Sequence, residues 1–487
     1  MMAAPLWVGR FLPLLDLPQH LAIATILLRH GDPAWQLAAS FEPQPGELTP
    51  YWAHYLALQW LGHLMPVDVA ARVFLTLYVV ALPWATMALS RALGRAPALG
   101  LLAAPLALNA NLYYGFVAYC WSVVLLLWAL ALLARQLDAP RAGRAAGLGL
   151  LAGALFFTHV QSFAFLLLAA AVLAWCGAAP AWRRILRTWP LAPATLLLFV
   201  PWLYVSTTMR PGVDRYFAPL DDPRPKYEAP LRRVSGFPGA IAGSYQDRSD
   251  DWLLAAWAIV AAAAVLAARR EAPESSAAPV VGLTAAALTC YFVLPVAIQG
   301  QWNIAQRFAW TAALLVPLLA RRSPRWLPAA TLALAAATAC NAAWHHARFD
   351  REAEGFDGAL ASLPQGARVL GLIYDSRGKI MERWPYLHFE QYAIVHGGGY
   401  AAHSFAANAP LPVRLRPEAR VPAPPVWRPY EFRYDEHARF FDYFLIRDPE
   451  GAHDGSQLFG DAAEEVFREG AWRVYRDRSD IKRMNGG

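Results

Sequence analysis

Ten apolar runs follow one another between residues 67 and 343, at roughly 67–90, 97–110, 116–136, 146–158, 162–178, 189–207, 251–268, 277–297, 307–321 and 326–343. A helix needs ~20 such residues to cross a bilayer, and shorter runs can cross where neighbours shield them. Only 16% of the 487 residues are charged, against about a quarter in soluble domains. Lipid is therefore the solvent for much of the chain. The pattern predicts an α-helical polytopic membrane protein of about ten or eleven spans and excludes a soluble globular fold. An eleventh span could lie at 3–15, although Arg10 and Pro13 interrupt it. Either the start of the chain is misplaced or this helix is half-inserted. As a signal peptide it lacks a basic leader and a small-residue cleavage site.

The net charge of +7 comes almost wholly from arginine, since Lys226, Lys379 and Lys482 are the only lysines. Those arginines have a pattern. Arg91, Arg95, Arg135, Arg141, Arg144, Arg183, Arg184, Arg187, Arg269, Arg270, Arg321, Arg322 and Arg325 all fall on one face of the ten-span arrangement. The short loops of the other face contribute only Arg307. Basic loops stay on the cytoplasmic side, so the first face is cytoplasmic. The basicity thus reports topology and not a nucleic-acid partner. Cys120, Cys176, Cys290 and Cys340 lie inside apolar runs without ligand spacing, and read as buried, inert thiols.

Two parts are expected. Residues 1–343 form the transmembrane domain, with a first outward loop at 16–66 and a long outward loop at 208–250. Residues 344–487 form a soluble extracytoplasmic α/β domain. In the first loop, 18–30 and 51–64 have helical periodicity without spanning length. They suit helices lying flat at the interface, separated by a Pro-rich turn at 42–50. In the last part, 367–373, 443–446 and 472–475 read as strands and 461–468 as helix. Residues 409–430 are Pro-rich and extended. Gly397-Gly398-Gly399 is a weak phosphate-cradle signal, with no lysine and no strand–loop–helix frame.

Chemistry-bearing residues collect on the outward face. Asp16 stands in Asp16-Leu17-Pro18-Gln19-His20, at the mouth of the first outward loop. Capping of the helix that Pro18 begins is its structural alternative. Asn109, Asn111, Tyr113 and Tyr114 share one turn, and Thr158, His159 and Gln161 another. Gln299, Gln301, Asn303, Gln306 and Arg307 share a third. Tyr113 and Tyr114 read first as interfacial anchors, and Arg307 equally as a residue snorkelling to headgroups. Arg72 is expected to pair with Asp68.

An early outward acid, two short helices in the first outward loop, spans of uneven length and an outward C-terminal domain follow in that order. This layout resembles the GT-C glycosyltransferases, membrane enzymes that use polyprenyl-phosphate sugars. The motif carrying the resemblance is Asp16-Leu17-Pro18-Gln19-His20, with one acid where many members have an acidic pair. The resemblance implies transfer of a hexosyl or pentosyl group to a lipid, glycan or protein acceptor. It places the chain in a bacterial cytoplasmic (inner) membrane.

In that chemistry Asp16 would act as base or orient the acceptor, with His20 and His159 beside it as further catalytic candidates. Arg307 would grip the donor phosphate, helped by Asn303, Gln306, Tyr114 and Arg210. Arg215 is a further cation in the long loop. Asp16 with His20 or Glu42 could hold Mg²⁺ or Mn²⁺, though no dense carboxylate cluster exists and metal-independent transfer is the expectation. The competing readings are a transporter or flippase, disfavoured by spans nearly free of charge, and a non-catalytic envelope assembly protein.

Overall fold

A computed structural model describes residues 1–177, 179–209, 224–269, 277–298, 301–407, 411–453 and 455–478. It is an α-helical polytopic membrane fold with a small sheet region near the C-terminus. The first outward loop holds α1 (Leu17–Arg29) and α2 (Trp52–Gly62). Among the described residues five helices are long and apolar enough to cross a membrane: α3 (Val67–Ala92), α4 (Val117–Asp138), α7 (Ala181–Thr207), α8 (Ser249–Arg269) and α11 (Leu327–Glu352). The shorter apolar helices α5 (Ala142–Thr158), α6 (Val160–Trp175), α9 (Ala278–Val293) and α10 (Arg307–Leu315) pack among them. Helix α4 carries no charge before Arg135 and is buried on nearly every side, so it forms the centre of the bundle.

Two expected spans are not helices of that kind. Residues 97–110 form a 3₁₀ segment, Pro97–Ala103, and an irregular stretch to Asn109. A β-carbon at Gly100 would lie 2.4 Å from the Met87 backbone nitrogen, so this segment lies hard against α3. Residues 3–15 hold only a 3₁₀ turn, Ala4–Trp7, and a non-helical stretch. Arg72 anchors that stretch through the carbonyls of Leu6, Gly9 and Arg10. The expected Arg72–Asp68 pair does not form; Asp68 pairs with Arg10 at 3.2 Å. The thiols are not uniformly buried either, since Cys340 is exposed on the surface of α11.

The arginine loops meet at one end of the bundle. The Ala96 amide donates to the Arg321 carbonyl, and Arg184 pairs with Asp138 at 2.7 Å. Helix α4 runs from that end to Val117, about 33 Å away at 1.5 Å per residue. At this second end the first loop and the C-terminal part form one packed layer. The sheet order there is β5 (Tyr400–Ala401), β4 (Arg368–Ile373), β7 (Tyr443–Arg447), β9 (Trp472–Asp477), β8 (Ala463–Glu469). Strand β4 is parallel to β5 and β7, while β9 is antiparallel to β7 and β8. Residues expected to be helical at 461–468 are thus mainly the edge strand β8, turned back through Gly470 at φ +55°.

Strand β1 (Phe41–Pro43) pairs antiparallel with β6 (Val413–Leu415), placing Phe41 opposite Leu415. Helix α1 packs against α2 and the Tyr392–Gly397 helix. Leu17, Leu21, Ile23 and Ile26 are buried. Helix α1 therefore does not lie flat on lipid: its outer face is covered by the C-terminal layer. The two-residue strands β2 (Ala297–Ile298) and β3 (Gln301–Trp302) form a hairpin just before α10.

Candidate active site

Asp16 stands immediately before α1 with helical backbone angles (φ −89°, ψ −2°), and its side chain makes no capping hydrogen bond. Capping is therefore not what its carboxylate does. The Asp16 amide donates to the Tyr114 carbonyl at 3.3 Å, which docks this turn on the 109–116 segment. Its side chain is 16% exposed, and Oδ1 lies 3.7 Å from Nε2 of His388. Burial pushes the carboxyl up to about 7, against the opposing pull of the Arg307 charge.

The hydrogen-bond network fixes which proton faces Asp16. The Phe405 amide donates to Gln19 Oε1 at 2.9 Å, so the Gln19 amide nitrogen is on the other side. That nitrogen donates to the His403 carbonyl at 2.8 Å and meets His388 Nδ1 at 3.1 Å. His388 Nδ1 must then accept. Burial drives the His388 imidazole down to about 3, so it is neutral and carries its proton on Nε2, toward Asp16. The C-terminal part thus supplies an N–H dipole aimed at the carboxylate.

His20 lies one turn along α1, where its amide donates to the Asp16 carbonyl. Its Nδ1 is 2.8 Å from the Tyr55 hydroxyl on α2, and burial lowers its imidazole to about 4. Tyr55 and His54 are buried, so α2 turns these residues inward and leaves Trp60 outside.

Arg307 opens α10 and is 8% exposed. Nη1 lies 3.2 Å from His159 Nε2 and 3.1 Å from Gln161 Oε1, and Nη2 donates to the Trp302 carbonyl at 3.3 Å. The guanidinium carbon sits 4.2 Å over Phe116 and 5.5 Å over Tyr119. Nε meets no partner, and among the described residues no carboxylate lies within ion-pair distance of this charge. A snorkelling arginine would keep its head in water; this one is enclosed by neutral groups. His159 is delivered to it because the α5–α6 junction is a single extended residue (φ −165°).

Tyr114 stacks on Phe116 with ring centroids 5.3 Å apart, and its hydroxyl accepts from Arg383 at 2.7 Å. It belongs to the wall of the site and is not a free lipid anchor. Asn303 serves the turn before α10, taking a left-handed backbone at φ +57°. Gln306 Nε2 reaches Glu228 at 3.4 Å, away from the Arg307 contacts. Arg210, Arg215 and Gln299 lie outside the described residues. Glu42 is exposed on β1, and the Asp16 carboxylate faces His388 Nε2 at 3.7 Å and feels the charge of Arg307. Among the described residues no group of three or more His, Cys, Asp or Glu side chains is placed to hold a metal ion. A hard divalent ion wants several oxygen ligands, which this surrounding does not offer.

Asp16, His20, His159 and Arg307 are therefore brought to one end of the bundle. Gln161, Phe116, His54, Tyr55 and His388 join them without having been singled out as site residues. Gln161 shares a turn with His159, and that spacing was the one signal available for it. Nothing in the sequence marks His388.

A buried acid and a buried guanidinium thus sit at one end of a polytopic helical scaffold that carries a small sheet region, and solved structures share this fold. The chain is similar over 97% of its length to the structure of ArnT from Cupriavidus metallidurans in the apo state, covering 94% of that chain with a TM-score of 0.58 and 13% identity. It is also similar over 98% of its length to the arabinofuranosyltransferase AftD from Mycobacteria (TM-score 0.51, 14% identity), of which it spans 40%. No family model and no curated protein matches the sequence.

Proposed function

We propose that this protein is a membrane glycosyltransferase that moves a sugar from a polyprenyl-phosphate donor to a lipid, glycan or protein acceptor. Arg307 carries the reading. It is a buried guanidinium held by neutral groups alone, its charge felt by one buried carboxylate. An unpaired charge in such surroundings is expensive, and an arriving anion would compensate it. The donor phosphate is such an anion.

Asp16 takes the proton of the acceptor hydroxyl as the acceptor oxygen bonds the anomeric carbon. The bond from that carbon to the phosphate oxygen breaks, and its electron pair leaves with the polyprenyl phosphate. Charge grows on the phosphate, where Arg307 offsets it. The His388 N–H steadies the Asp16 anion, and the aromatic walls Phe116 and Tyr119 keep water from weakening both effects. The arginine distribution supports a site on the outer face of the inner membrane.

The test is transfer of radiolabel from polyprenyl-phosphate sugars into lipid and protein acceptors by wild type and Asp16→Asn. Loss of product with normal membrane insertion is expected. Full activity of Asp16→Asn would end the assignment of the base.

A further inference from the structure

His54 is 1% exposed, yet neither of its ring nitrogens meets a hydrogen-bond partner among the described residues. Leaving two polar atoms buried and unbonded is costly, and such groups in a native protein have a reason. The position of the ring supplies one. It stands edge-on to His20 at 5.2 Å, and His20 is bonded to the turn of Asp16. One turn earlier, the Tyr51 ring stands edge-on to His159 at 5.6 Å, and His159 touches Arg307. Residues three apart share a helix face. The α2 face that presents His54 therefore touches a neighbour of the carboxylate and, through Tyr51, a neighbour of the guanidinium, the two groups that a sugar joined to a phosphate would engage.

We infer that His54 is a substrate-binding residue that hydrogen-bonds an oxygen of the transferred sugar and so selects which sugar is moved. This rests on the reading of the site as a glycosyltransferase centre. Burial and the neighbouring imidazoles His20 and His159 keep the ring neutral. A neutral imidazole has one donor and one acceptor, which matches a sugar hydroxyl and not a second anion. Three neighbouring histidines are engaged: His20 on Tyr55, His159 on Arg307 and His388 on Gln19.

The experiment compares wild type, His54→Phe and His54→Gln. Phenylalanine keeps the ring and removes both nitrogens, and glutamine returns a donor and an acceptor. Transfer is measured with a transferred donor sugar and with analogues lacking one hydroxyl each, and melting temperature is measured in detergent. His54→Phe is expected to melt no lower than wild type, since it removes two unbonded buried atoms. Its kcat/KM should fall about ten- to a hundredfold, with partial recovery in His54→Gln. One deoxy analogue should lose as much with wild type and lose nothing more with His54→Phe. A lower melting temperature for His54→Phe, unchanged kcat/KM, or additive losses with every deoxy analogue would each overturn the assignment. If wild type transfers nothing from any polyprenyl-phosphate sugar, the glycosyltransferase reading fails and takes the sugar with it; a lower melting temperature of His54→Phe then separately shows the ring to be a structural element.

Discussion

Gly115 stands so close to Asp16 that a β-carbon on the glycine would lie 2.4 Å from the Asp16 backbone nitrogen and 2.8 Å from its side-chain β-carbon. The glycine also takes φ +81°, which L side chains rarely adopt. Both facts make Gly115 the seat on which the carboxylate rests. Gly115→Ala should lower transfer at least tenfold and cost about 1–3 kcal/mol of stability through backbone strain. Wild-type turnover in this variant, measured beside its melting temperature, would show that the seat is not needed.

The pH dependence follows from the carboxyl that burial raises to about 7. A base must be ionised, so transfer should rise with pH through that value. Stability moves the other way. The folded state prefers the neutral acid, so its contribution is complete below the unfolded value near 3.8 and is lost as pH climbs from about 4 through 7. Asp16→Asn should therefore melt higher than wild type at pH 8 and about equally at pH 4. Identical melting of the two proteins at pH 8 would contradict a strained carboxylate.

Arg307 uses the planar fork of its guanidinium, with separate bonds to His159, Gln161 and the Trp302 carbonyl. Lysine keeps the charge and loses the fork. Arg307→Gln should raise the KM for donor more than it lowers kcat, and Arg307→Lys should recover little of the loss. Arg325→Gln, at the basic end, should leave donor use unchanged. Equal damage from Arg307→Gln and Arg325→Gln would remove the phosphate grip.

His388 faces Asp16 with a proton and belongs to the C-terminal part. Taking that proton away destabilises the carboxylate anion. In His388→Ala the rising limb of the pH–rate profile should move to higher pH, with a tenfold or greater loss of rate at pH 7. A lower rate with an unmoved limb would mean that His388 acts only through packing.

Sidedness is separable from chemistry. In a background without the four native cysteines, Tyr430→Cys on the exposed C-terminal surface should react with an impermeant thiol reagent added outside intact cells. Arg325→Cys should react only after permeabilisation. The reverse pattern would invert the orientation drawn from the arginines.

The layout was readable because its two signals are long-range averages. Apolar runs and arginine placement tolerate errors of a few residues, and both ends of the bundle follow from them. The 97–110 segment escaped because hydropathy cannot tell a spanning helix from a 3₁₀ segment held against α3 by Gly100. Strand β8 escaped because Ala463–Glu469 is a partly exposed edge strand whose partner, β9, alone makes it a strand. In the site, Asp16 and Arg307 were legible as charges where charge is rare. His388 and His54 were not, since a covering layer and an inward-facing helix place them there and no local pattern announces either.

Strand β1 and strand β6 pair across most of the polypeptide. A ribosome making this chain at ~5–20 residues per second therefore releases Asp16 on the order of tens of seconds before β6 and His388 exist to complete its surroundings. During that interval the nascent protein is anchored but chemically blank. A stop upstream of His388 would therefore remove both the imidazole that faces Asp16 and the strand that pairs with β1.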